Sequence, residues 1–80
     1  MDDKTLNDTI QELVDEEHRL WEREAHGASD PDDPKRLAEL QVVLDECWDL
    51  LRQRRALREA ARDPDEASPR DADTVERYLQ

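Results

Sequence analysis

The stretch CWDLLRQRRALREA, from Cys47 to Ala60, decides how this chain folds. It passes from leucine to arginine with no glycine or proline to interrupt it. Four of the chain's ten arginines fall inside it, although the formal net charge of the whole is −11. At about 100° per residue, Arg54, Arg55 and Arg58 continue the apolar face of a helix beyond Leu51. What composition presents as a basic patch is therefore, by geometry, the continuation of an apolar seam.

Extended towards the N-terminus, the same helix takes in Leu37, Leu40, Val43, Leu44, Trp48 and Leu50, with Leu57 beyond, and should run from about Pro34 to Arg62. It ends before Asp63-Pro64 because a residue preceding proline avoids the helical region. Its apolar residues cover about half the circumference, a face too wide for one neighbour. An earlier helix, about residues 3–26, carries a narrower stripe of Leu6, Ile10, Leu13, Val14, Leu20 and Trp21, with Asp2, Asp3 and Thr5 available as caps and Gly27 as its stop. Between the two, GASDPDD supplies turn residues. Either Asp30-Pro31 or Asp33-Pro34 can act as N-cap and first-turn proline, and the second fits better.

So short a connector makes the helices antiparallel neighbours. Pairing outward from it sets Leu20 beside Leu37, Leu13 beside Leu44, Ile10 beside Cys47 and Trp48, and Leu6 beside Leu51. The expected fold is all-α: an antiparallel two-helix hairpin over residues 1–62, with 63–80 a linker and short C-terminal segment or third helix. A hairpin of this size buries little surface. Dimerisation into a four-helix bundle would cover the wide face of the second helix, through Val43, Cys47, Leu50, Leu51 and Leu57. The alternative cover is the tail, DPDEASPRDADTVERYLQ. Its first half reads as linker, while Val75, Tyr78 and Leu79 form a small apolar segment able to dock on the bundle or be read by a partner.

The arginines should meet acids. Antiparallel pairing brings Arg54, Arg55 and Arg58 to the start of the first helix, where Asp2, Asp3 and Asp8 lie, and each group also complements its own helix dipole. An arginine clamp for an anionic or phosphorylated partner is the competing reading. Glu17 interrupts the apolar stripe of the first helix, and a carboxylate there needs a polar partner. With Glu24 and His18 it makes a candidate metal set. However, inward metal sites in helical bundles place the histidine three residues after a glutamate, whereas His18 follows Glu17 directly.

Function is narrowed mainly by exclusion. A strongly acidic chain repels phosphate backbones, so nucleic acid is not an expected partner. No run of about twenty apolar residues and no leader pattern points to a membrane or to export, so a cytoplasmic location is expected. The single cysteine, Cys47, sits in apolar register among Asp45, Glu46 and Asp49, which suit a buried thiol better than a nucleophile. With no glycine-rich phosphate loop, zinc spacing or Ser/His/Asp set, neither catalysis nor a cofactor is expected. Trp21 and Trp48 read as core or interface anchors.

The opening MDDKTL, the segment EEHRLWERE from Glu16 to Glu24, the segment LDECWDLLRQRRALREA from Leu44 to Ala60 and the final VERYLQ resemble a family of short bacterial proteins grouped as a domain of unknown function. CWDLLRQRRA, from Cys47 to Ala56, is the most specific part. The resemblance implies a small cytosolic all-helical protein and a tail that belongs to its design, and it brings no activity to transfer. The role that fits is a non-enzymatic helical interaction module or regulatory adaptor acting as a homodimer. A metal-binding bundle using Glu17, Glu24 and His18, and an acidic mimic of nucleic acid that occupies a basic partner's groove, are the alternatives.

Overall fold

The computed structural model describes residues 2–70. Two α-helices, α1 (Asp3–Ala25) and α2 (Asp33–Glu59), pack against each other, and a 3₁₀ turn (Pro64–Glu66) packs against α2. There is no strand among the described residues. The expected all-α hairpin is therefore the observed one. Val75, Tyr78 and Leu79 lie outside the described residues.

Helix α1 starts where the sequence provides a cap. The Asp2 carboxylate accepts a hydrogen bond from the Thr5 amide at 2.8 Å, satisfying one of the first-turn donors that have no intrahelical partner. The helix stops at Gly27, which has φ +70. Gly27 N–H bonds the Glu24 carbonyl and Ala28 N–H the Arg23 carbonyl, at 3.1 and 2.8 Å. These are the paired bonds of a Schellman ending.

The connector is held by Asp33 rather than capped by it. Asp33 is the first residue of α2, and Asp32 stands at the N-cap position without a side-chain cap bond. The Asp33 carboxylate is 6% exposed, accepts from the Asp30 amide at 3.1 Å and meets the Arg23 guanidinium at 2.9 Å. The expected N-cap thus gives way to a bridge from the connector back to the last turn of α1. Pro34 sits in the first turn of α2, as its ring requires.

Helix α2 ends at Glu59, three residues before the expected Arg62, and its ending repeats that of α1. Ala61 N–H bonds the Arg58 carbonyl at 3.0 Å and Arg62 N–H the Leu57 carbonyl at 2.8 Å. Ala61 takes the left-handed conformation, φ 56, that a glycine would normally supply. This early stop leaves room for the chain to turn. The Asp63 side chain then accepts from the Asp65 amide at 2.9 Å and starts the 3₁₀ turn.

The core follows the expected register. Leu6, Ile10, Leu44 and Cys47 are buried together, and Leu13, Val14, Leu50 and Leu51 pack against them. Leu20 and Leu40 are buried towards the connector, Leu40 completely. The two tryptophans are not core residues: Trp21 is 45% and Trp48 47% exposed.

The two helix endings differ at one residue, and that difference is measurable. Ala61→Gly should stabilise the protein by about 0.5–1 kcal/mol, because an L side chain is disfavoured at positive φ. Gly27→Ala should destabilise it by about 1 kcal/mol for the same reason, since an added Cβ at Gly27 meets no atom within 4 Å. Urea unfolding followed by circular dichroism reads both, and shifts of equal sign would show that backbone conformation is not what distinguishes the two ends.

Candidate interaction surface

At one end of the hairpin Arg54 ties three segments together. It occupies an apolar-face position of α2, is 8% exposed, and directs its Nε to Asp3 at the start of α1. Its Nη1 donates to the Asp65 carboxylate at 2.9 Å and to the Pro64 carbonyl at 3.3 Å. Asp3 also pairs with Arg58 at 2.8 Å. The seam expected from Asp2, Asp3, Asp8, Arg54, Arg55 and Arg58 is therefore narrower than the sequence suggests. Asp2 serves as the helix cap and Asp8 pairs with Lys4 in its own helix at 3.2 Å. Arg55 is exposed and makes no ion pair among the described residues. Asp65 and the Pro64 carbonyl are the partners that sequence reasoning missed.

From Arg54 the chain returns along α2. The Gln53 amide donates to the Ser68 carbonyl at 2.9 Å and accepts from the Ser68 amide at 3.4 Å, and the Arg70 guanidinium lies 3.4 Å from Asp49. Gln53 also donates to Asp49 at 2.9 Å. Asp49 is only 2% exposed although it lies on the side of α2 turned away from α1. Residues 63–70, which compose like a linker, are thus fastened to α2 by side chain-to-backbone hydrogen bonds and ion pairs. Ala67 and Pro69 line, with Leu6, Leu50, Arg54 and Asp65, a cleft of about 210 Å³.

This return determines where the residues expected at a dimer interface lie. Cys47 is inside the hairpin core, and Leu50 and Leu51 pack against that core. Leu57 is half-buried beside Arg62, Glu66 and Arg70, and Val43 is 39% exposed. The five do not form one open face.

The open face is elsewhere. Glu16 and Arg36 join the helices along one flank, where the guanidinium grips the carboxylate through Nε at 2.6 Å and Nη2 at 2.9 Å. Around α1, Val14 and Trp21 lie on the opposite side of the stripe from Glu16. Around α2, Leu37, Trp48 and Arg55 lie on the opposite side from Arg36. Trp21 and Trp48 therefore share the flank that the returning segment leaves alone. His18 stacks on Trp21 with ring centroids 5.9 Å apart. At the other end, Trp48, Leu51, Arg52 and Arg55 line a shallow depression.

The family model described as Protein of unknown function (DUF2630) matches residues 2–80. The chain belongs to this family. Uncharacterised proteins of Mycobacterium bovis and of two strains of Mycobacterium tuberculosis are each 49% identical to it over 70 residues, which cover 86% of this chain and 80% of the relative. No solved structure matches it.

The remaining candidate residues of this family member are not gathered into a site. Glu17 is half-buried and has no hydrogen-bond or ion-pair partner among the described residues. Glu24 is exposed, and His18 is engaged with Trp21. Among the described residues no three His, Cys, Asp or Glu side chains converge as a metal site would require. Burial pushes the Cys47 thiol up, and the neighbouring Glu46 carboxylate pushes it further. This disfavours the thiolate that nucleophilic chemistry needs.

The Arg54 junction leaves a signature in acid. The hydrogen bond from Arg54 holds the Asp3 carboxyl below its ordinary value, with Arg58 adding to the effect. A carboxyl whose pKa is lowered by folding contributes stability that is present above its unfolded value and is lost as pH falls through the folded one. The stability difference between wild type and Asp3→Asn should therefore be constant above about pH 5 and shrink below about pH 4. Urea midpoints across that range measure it, and parallel profiles would mean that the Asp3 pair contributes nothing.

Proposed function

We propose that the protein is a non-enzymatic helical interaction module, a small cytoplasmic adaptor that works as a homodimer. One observation carries this reading: a hairpin of this size holds two tryptophans about half exposed on one flank while its own chain covers part of the other. Large aromatic side chains are concentrated where proteins meet, because they bury much area at small conformational cost. The titratable groups point the same way. Asp3, Glu16, Arg36 and Arg54 are drawn into pairs that hold the helices together, and the cysteine is packed as a small hydrophobe.

Light scattering behind a sizing column tests the assembly. At micromolar concentration the expected mass is twice the 9.4 kDa of one chain. A mass of one chain throughout the micromolar range would remove the homodimer from this reading.

A further inference from the structure

The tryptophan flank carries its charges at opposite ends. The ion pairs Asp3–Arg54 and Arg23–Asp33 fix the register of the antiparallel helices. In that register Trp48 stands level with Asp8 and Thr9 of α1. Trp21 lies about twelve residues further on, roughly 18 Å along the axis at 1.5 Å per residue. Around Trp21 the charges are acidic: Glu17 lies one turn before it and Glu24 one turn after. Beyond Trp48, towards the end of α2, they are basic: Arg52 and Arg55 line one depression with it, and Arg55 is exposed, while Asp45 lies on the side of the midpoint. Val14, which packs against the core cluster that includes Leu44, lies near the midpoint.

Resting on the homodimer reading, we propose that a second copy of this chain docks on the tryptophan flank turned end for end, with Trp21 and Glu24 of each protomer against Trp48 and Arg55 of the other. A two-fold axis crossing the flank near Val14 produces this match. It brings Trp21 to the level of the mate's Trp48 and Glu24 to within about a turn of the mate's Arg55. The same operation repeats each contact at the other end, as an isologous interface requires. The other way of stacking two such flanks, with the axis along the helices, sets Arg55 beside Arg55 and Glu24 beside Glu24. Like charges then face each other at both ends, so the charge pattern selects the end-for-end arrangement. The flank to which residues 63–70 are fastened offers no comparable surface, because the returning chain already occupies it through Ser68 and Arg70.

The full-length chain tests this through its dimer dissociation constant, measured by sedimentation, with helical content checked by circular dichroism for every variant. Trp48 is 47% exposed and Val43 39%, so neither substitution should disturb the hairpin. Trp48→Ser should weaken the dimer by about 30-fold or more, the scale of a buried aromatic anchor, whereas Val43→Asp on the opposite flank should leave it within twofold. Arg55→Glu and Glu24→Arg should each weaken it roughly 5-fold, since each removes two symmetry-related surface pairs. Combining them should restore the wild-type constant. A dimer insensitive to Trp48→Ser but broken by Val43→Asp would overturn this surface and leave the homodimer standing. Failure of the double charge reversal to restore binding would overturn the end-for-end orientation, and a wild-type chain that never associates would overturn both readings together.

Discussion

A guanidinium at a core position, Arg54, is the interaction on which the rest of this fold depends. Two helices joined by a turn have few apolar residues to commit, and at the open end of this hairpin the leucines run out. Arg54 continues the seam with a side chain whose stem packs like a hydrophobe and whose planar head can satisfy several acceptors at once. It bonds Asp3 from α1 and the Pro64 carbonyl and Asp65 from the returning chain. One residue of α2 therefore fixes where α1 begins and where the chain goes after α2 ends. A lysine at this position would keep the charge but present no fork of donors in fixed directions to both partners.

The same economy explains the order of polar contacts on the back of α2. An aspartate that is 2% exposed would be costly without partners. Gln53 and Arg70 supply them, and Gln53 also exchanges one donor and one acceptor bond with the Ser68 backbone. Past the 3₁₀ turn the returning chain has irregular backbone whose polar groups need partners, and at Ser68 one amide side chain supplies a donor and an acceptor together. The helix endings serve the same geometry. The Ala61 turn stops α2 early enough for Asp63 and Pro64 to swing under Arg54, at the cost of a left-handed alanine.

The hairpin was legible in the sequence because apolar spacing and helix-stop signals are strong and local. Leu6, Ile10, Leu44 and Cys47 meet as their spacing requires, and Asp3 finds Arg54 and Arg58 because antiparallel register leaves them nowhere else to go. Asp49 and residues 63–70 were not legible. Hydrophobic periodicity registers only contacts that bury carbon, and this contact buries a carboxylate under a segment rich in proline, aspartate and serine. The width of the apolar face on α2 did signal that a second neighbour was needed. It could not say that the neighbour would be polar and come from the same chain. Of the two places open to Trp48, core or interface, the hairpin core is not the one it takes: it sits at the edge of the stripe, where the narrow α1 does not cover it.

The two flanks of the hairpin thus differ in their physics. On the side of Leu50 and Asp49 the contacts are directional hydrogen bonds and ion pairs, which fix one segment in one register but depend on every partner being present. On the side of Trp21 and Trp48 the surface is aromatic and about half exposed, and what it offers is apolar area rather than directional bonds. Evolutionary replacement should follow this division. Arg54 with Asp3 and Asp65, and Gln53 with Asp49, are coupled by direct bonds and should change in concert, whereas Trp21 and Trp48 are held by no such bond among the described residues and should exchange more freely for other large apolar residues.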